Sequence, residues 1–185
     1  MLVGMMGAGK SAVGRLLAER LERPFVDADD ALEAKLGRTI PQVFAEDGED
    51  GFRREESAVL TDLLDRRPAP VIATGGGVVV RAANREVLRE RATVVWLQAP
   101  VAELARRVGS GSGRPLLAGD PLATLTELEA ARGPLYADVA GLVLDTTDRD
   151  PGALAEQVAS ELRGRGERRG LQGAERPVPA SGASA

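Results

Sequence analysis

Gly4-Met5-Met6-Gly7-Ala8-Gly9-Lys10-Ser11 is the stretch that decides the fold. A glycine, four free positions and then Gly-Lys-Ser is the spacing of a loop that wraps an anion. Its glycines let successive backbone N–H groups converge on one phosphate. A helix expected from about Lys10 to Leu21 adds its positive end, and Val13, Leu16, Leu17 and Leu21 give that helix an apolar face. Leu2-Val3, just before the loop, reads as a strand. A phosphate loop belongs between a strand and a helix, so the motif stands in the context that gives it meaning. Lys10 is then expected to reach the β- and γ-phosphates of a nucleotide, and Ser11 to ligate Mg²⁺. Gly7, Ala8, Gly9, Lys10, Ser11 and Ala12 form the expected nucleotide-contacting stretch. Of 24 basic residues only Lys10 and Lys35 are lysine, so a lysine inside this loop is not casual.

Outward from the loop, strand-length apolar runs alternate with helical patterns. Phe25-Val26 reads as the second strand, followed by a helix beginning near Asp29 and closed by Gly37. Thr39-Ile40-Pro41-Gln42 fits a capping box, and a longer helix is expected from about Asp50 to Asp65. Val71-Ile72-Ala73 is a buried strand ending at Gly75-Gly76-Gly77. Thr93 to Leu97 and Leu142 to Leu144 supply two more strands, and a helix from about Pro151 to Leu162 closes the domain. This alternation predicts an α/β fold in which a parallel sheet of about five strands is covered on both faces. Gly109 to Gly119 (GSGSGRPLLAG) is rich in Gly and Ser around Arg114. It is too long for an ordinary connection, and the segment at about 109–121 is read as a mobile lid. From Gly164 the sequence mixes Arg, Gly, Glu, Pro, Ala and Ser without period, so 164–185 is expected to be a disordered tail outside a domain at 1–163.

Composition narrows the chemistry. A net charge of −4 and 3% aromatics argue against nucleic acid as a partner. The absence of cysteine excludes disulfides and thiolate catalysis. With no histidine, a general base must be a carboxylate, the lone Tyr136 or a lysine. No run reaches the roughly 18–20 apolar residues of a membrane span, and Met1-Leu2-Val3-Gly4 lacks a signal-peptide pattern, so a cytoplasmic location with no membrane partner is expected.

The loop fixes nucleotide binding and leaves the acceptor open. Asp27-Ala28-Asp29 follows the second strand at the carboxyl edge, where open parallel sheets bind ligands. Alternation places both aspartates on one side, one to organise Mg²⁺ through water and the other to bond a substrate hydroxyl; a plain helix N-cap at Asp29 is the alternative. Arg53 and Glu56 share a helical face at i, i+3, either as a solvated pair or as an arginine held ready for an anionic substrate. Gly75, Gly76 and Gly77 would let a small ligand lie against bare backbone. Arg114 is placed to swing over a transferring phosphate, Arg132 is a second anion contact, and Arg106 and Arg107 end the helix before the lid. Trp96 reads as core.

Together and in order, GMMGAGKS, DADD, GRTIPQVFAEDGEDGFRREE, ATGGGVV, GRPLL and RGPLY resemble the shikimate kinase family over about residues 1–163. The resemblance implies a P-loop NTPase-like three-layer α/β/α fold of the nucleoside-monophosphate-kinase kind. It also implies ATP and Mg²⁺ as cofactors, and phosphorylation of the 3-hydroxyl of shikimate, a step toward chorismate and the aromatic amino acids, by a monomer. By the same resemblance Lys10, Asp29 and Arg114 are catalytic, with Asp29 the candidate base. Arg53 and Arg132 would clamp the shikimate carboxylate beside Gly75, Gly76 and Gly77, and Glu56 would hold Arg53. Ser11 would ligate the metal with Asp27 acting through water, while Arg107 and the Arg149-Asp150-Pro151 turn would border the adenine. Ala137 departs from the pattern, since relatives often carry a basic residue there. The rival readings are another small-metabolite kinase of the same fold, such as a gluconate kinase, and a non-catalytic ATP-binding regulator.

Overall fold

The structure, a computed structural model, describes residues 1–109 and 120–174. Strands β1 (Leu2–Val3), β2 (Phe25–Asp27), β3 (Val71–Ala73), β4 (Val95–Gln98) and β5 (Leu142–Asp145) form one parallel sheet in the order β2-β3-β1-β4-β5. The helices are α1 (Lys10–Arg20), α2 (Ala28–Leu36), α3 (Ile40–Asp65), α4 (Ala82–Arg91), α5 (Val101–Val108), α6 (Pro121–Val139) and α7 (Pro151–Ala174). They cover both faces, giving the expected three layers.

Strands β1 and β3 are apolar at every position and β4 at all but Gln98 because both faces are covered: Leu2, Val3, Val71, Ile72, Ala73, Val95 and Leu97 are all buried. At the β5 edge Val143 is exposed. Strand β1 has two residues but is held from both sides, Leu2 lying opposite both Ala73 and Val95. The Thr74 N–H and hydroxyl each donate to the Leu2 carbonyl at 3.1 Å, and the Val95 N–H donates to the Met1 carbonyl at 2.9 Å. Chain order puts β1 between β3 and β4, so the loop after β1 emerges at the switch point where such sheets bind ligands.

Helix α1 starts at Gly9, whose φ of 88° few residues other than glycine tolerate. It packs against α7, with Val13, Leu17 and Ala18 in the same core cluster as Leu154, Ala155, Val158 and Ala159. A second cluster of Leu32, Val43, Phe52, Val59, Leu63 and Ile72 seats α2 and α3 on β3. The Thr39 capping box forms as expected. Helix α3 then breaks at Gly48 (φ 69°, ψ −177°), which separates its first two turns from the length that carries Arg53 and Glu56.

The structure corrects several expectations. The N-cap of α2 is Asp27, not Asp29: its side chain accepts from the Asp29 N–H. Strand alternation therefore does not relate the two aspartates, because Ala28 already begins the helix. Helix α4 went unread because its arginine-rich sequence buries only Asn84 and Leu88. Helix α6 went unread because its apolar residues are spread around it and it contains Pro134. Helix α7 runs past Leu162 to Ala174, beyond the helix end expected from the sequence. Trp96 is half-buried, packed against the core and tilted over Tyr136. Most of the expected lid, Arg114 included, and residues 175–185 lie outside the described residues.

Candidate active site

The carboxyl ends of β1, β2 and β3 gather the polar residues. Lys10 lies across the phosphate loop, its ammonium donating to the Gly4 and Met5 carbonyls at 2.9 Å each. The Ser11 hydroxyl, one residue into α1, donates to Asp27 Oδ2 at 2.7 Å. Asp27 Oδ1 accepts from the Asp29 N–H at 3.1 Å. Asp27 thus joins the phosphate loop to the start of α2 and fixes where Asp29 stands.

A hydroxyl against a carboxylate is a hard-oxygen donor pair, the kind Mg²⁺ takes. Among the described residues no three or more His, Cys, Asp or Glu converge as a self-sufficient metal cage.

Asp29 is half-buried, and its carboxyl is pushed up to about 6. Burial is the main cause; the negative charges of Asp27 and Glu56 add to it and Lys10 opposes it. A carboxylate near that value can change protonation state close to neutral pH, as a general base must.

Arg53 and Glu56 form a buried ion pair, Nη1 to Oε2 at 2.8 Å, and Glu49 approaches Arg53 Nη2 at 3.2 Å. Only 10% of the Arg53 side chain and 8% of the Glu56 side chain is exposed, which removes the solvated-pair reading. Burial raises the Glu56 pKa, against the pull of Arg53 and Arg132. The other carboxylate oxygen, Glu56 Oε1, is buried without a hydrogen-bond partner.

The three glycines after β3 make this crowding possible. A Cβ at Gly75 would stand 2.6 Å from Asp29 Oδ1 and 3.3 Å from Glu56 Oε1. At Gly76 it would face the Tyr136 hydroxyl at 3.5 Å and Arg132 Nη1 at 3.6 Å, and at Gly77 it would fall inside the Arg53 guanidinium. Each glycine is the bare backbone against which one part of the cluster lies. Arg132 is itself buried, 9% exposed, and so is not a surface charge.

Arg107 stands on the other side of the phosphate loop. It donates to Glu103 Oε1 at 2.7 Å, to Thr146 Oγ1 at 2.9 Å, to the Thr146 carbonyl at 2.7 Å and to the Gly7 carbonyl at 3.4 Å. It ties the loop to the 146–151 turn. There Arg149 donates to Gln157 Oε1 at 2.8 Å and Asp150 caps α7 just before Pro151. Arg106 is exposed and paired with Glu103, whose carboxyl the two arginines, Arg106 foremost, hold at about 2.

Lys10, Ser11, Asp27, Asp29, Arg53, Glu56, Arg132 and the three glycines therefore form one contiguous cluster, with Arg107 flanking the loop and Arg149 and Pro151 in the turn that Arg107 holds at Thr146. Sequence reasoning missed Glu49, Glu103 and Thr146 and undervalued Tyr136. Three of these had a signal, since Glu49–Arg53, Glu103–Arg107 and Arg132–Tyr136 stand at i, i+4 on their helices. Tyr136 is no base: burial holds its hydroxyl protonated well above the ordinary tyrosine value.

A parallel sheet with a phosphate loop at its switch point, facing a buried carboxylate and an arginine pair, defines a small-molecule kinase of the P-loop class. The family model for shikimate kinase matches residues 6–163, and the chain belongs to that family. Shikimate kinase from Bordetella pertussis (strain Tohama I) is 50% identical over 163 residues, covering 88% of this chain and 77% of that protein. The Marinomonas sp. (strain MWYL1) shikimate kinase is 44% identical, covering 88% and 90%. A solved shikimate kinase from Acinetobacter baumannii, in complex with shikimate, superposes with a TM-score of 0.84 at 43% identity, covering 89% of this chain and 92% of that one.

Proposed function

We propose that this chain transfers the γ-phosphoryl group of ATP to the 3-hydroxyl of shikimate, and that the cluster divides the work as follows. The backbone of Gly7, Ala8 and Gly9 and the start of α1, with Ser11 and Ala12, hold the nucleotide phosphates. Lys10 places its charge between the β- and γ-phosphates. Asp29 positions the acceptor hydroxyl and takes its proton. Arg53 and Arg132 grip the carboxylate from two sides, and the backbone at Gly75, Gly76 and Gly77 forms the wall the ring lies against. Arg107, Arg149 and Pro151 border the adenine, and Arg114 in the lid neutralises charge on the moving phosphoryl group. Ser11 and, through water, Asp27 would hold Mg²⁺. Bound there, the ion would offset the negative charge of the phosphates.

The observation that carries this reading is the placement of Asp29: a carboxylate lifted to about 6, in one hydrogen-bonded chain with Ser11 of the phosphate loop, and against Gly75 beside Glu56 of the arginine pair. Phosphoryl transfer asks of a protein mainly positioning and charge, which arginines, a lysine and one carboxylate supply without histidine. The enzyme is further proposed to act as a cytoplasmic monomer in the route to chorismate. The test is ADP release from ATP and Mg²⁺ with shikimate, with gluconate and with no acceptor. Release dependent on shikimate alone is expected; release with gluconate instead overturns the roles given to Arg53 and Arg132.

A further inference from the structure

The Tyr136 hydroxyl touches both halves of the site. It donates to the Gly76 carbonyl and lies 3.7 Å from Met5 Sδ in the phosphate loop. Tyr136 is fully buried, and its ring packs against Trp96 of β4 with centroids 5.8 Å apart. Arg132, one helical turn earlier on α6, faces the same glycine. A trans peptide points its C=O and N–H in opposite directions. Fixing the Gly76 carbonyl on Tyr136 therefore fixes the Gly77 N–H on the opposite side of that peptide. The flanking Gly75 and Gly77 carbonyls accept from the Val78 and Val80 N–H groups at 3.3 and 2.9 Å, and on the peptide between them Tyr136 holds the Gly76 carbonyl.

We infer that Tyr136 is a positioning residue: its hydroxyl sets the orientation of the Gly76–Gly77 peptide and holds the acceptor wall at a fixed distance from the phosphate loop. The inference rests on the reading of that wall as the shikimate site. Tyr136 keeps its proton to donate to Gly76, since burial raises its pKa against the opposing pull of Arg132. The hydroxyl does no chemistry itself. It decides whether the backbone presents its N–H groups to the acceptor in a single arrangement or in several.

Tyr136→Phe deletes the hydroxyl and keeps the ring. The loss of one buried hydrogen bond to a positioning backbone group is expected to raise the KM for shikimate, and so lower kcat/KM, about five- to tenfold, with KM for ATP unchanged. A purely structural role would lower the melting temperature and leave the KM for shikimate alone, and that result overturns the inference. Arg53→Ala is assayed alongside. If it raises the KM for shikimate while Tyr136→Phe does not, only the tyrosine inference falls; if neither does, the shikimate wall itself is misassigned. Should Tyr136→Phe fail to fold, the question can be put to the unmodified backbone, because this is the chain's single tyrosine. Protein labelled with 3-fluorotyrosine gives one fluorine resonance, which is expected to shift on adding shikimate. A resonance unmoved by saturating shikimate overturns the inference.

Discussion

Glu56 binds Arg53 through one oxygen, Oε2 to Nη1 at 2.8 Å, and keeps its other oxygen buried and without a partner. The pair is asymmetric as a result. Arg53 has its charge matched twice, by Glu56 and by Glu49, while Glu56 has its ion pair with Arg53 and only the more distant pull of Arg132 besides. Removing the arginine should therefore cost more than removing a contact, because it leaves a buried carboxylate without its ion pair.

Arg53→Ala is expected to raise the KM for shikimate by a factor of roughly 10 to 100, the worth of a charge-assisted hydrogen bond of about 1.5–3 kcal/mol. It should also destabilise the fold by about 3–5 kcal/mol. Adding Glu56→Ala should restore part of the stability and none of the shikimate affinity. Urea unfolding and steady-state kinetics on the single and double variants separate the two effects. A double variant that regains affinity would mean Arg53 serves the fold and not the acceptor.

Much of this could be read in the chain, and the limits have physical causes. The phosphate loop, its flanking strand and helix, the capping box at Thr39 and the Gly37 cap all rest on local rules, and all stand as read. What failed is what depends on packing. Helix α6 owes its burial to both neighbours, α4 and α5, so its sequence carries no single apolar stripe. The pairing of Arg53 with Glu56 was visible at i, i+3, but burial decides whether such a pair is solvated surface or a rigid anion clamp, and burial is a property of the assembled fold. Tyr136 meets Gly76 across 60 residues, and no spacing rule reaches that far.

Ser11 and Asp27 predict a metal phenotype. Ser11→Ala removes the hydroxyl proposed to ligate Mg²⁺ and the bond that orients Asp27. The Mg²⁺ concentration for half-maximal rate should rise about tenfold or more, with the KM for shikimate little changed. An unaltered Mg²⁺ dependence would place the metal elsewhere.

Gly77 predicts a steric one. An alanine methyl there would occupy the space of the Arg53 guanidinium, so the arginine must move. Gly77→Ala should raise the KM for shikimate at least about tenfold, since misplacement on the scale of 1 Å is costly even without loss of a group. Gly37→Ala is the matched control: its positive φ lies at the α2 C-cap, where a Cβ meets no other atom within 4 Å. It should cost about 1 kcal/mol of stability and leave the kinetics intact. Equal kinetic effects from both would show that the loss is one of folding and not of geometry.

Asp29 predicts opposite changes in activity and stability. The base must be ionised to accept a proton, so with its carboxyl at about 6 the rate should fall as pH drops through 6. Asp29→Asn should lower kcat by roughly 10² to 10⁴ and erase that acid limb. Stability runs the other way. The folded pKa lies above the ordinary 3.8, so the folded state holds this proton more tightly than the unfolded chain does. The stability contributed by protonated Asp29 is therefore fully present below about pH 4 and is lost as pH rises through 6. At pH 7.5 the ionised, desolvated carboxylate then costs the fold roughly 1–3 kcal/mol, the scale set by a gap of about two pH units. The uncharged asparagine avoids that cost. Asp29→Asn should thus be more stable than the wild type at pH 7.5, and the gain should vanish near pH 4. Denaturant midpoints across pH 4 to 8 measure it. A variant that is inactive and also less stable at pH 7.5 would mean that Asp29 holds the fold together, and that its burial is not a strain kept for catalysis.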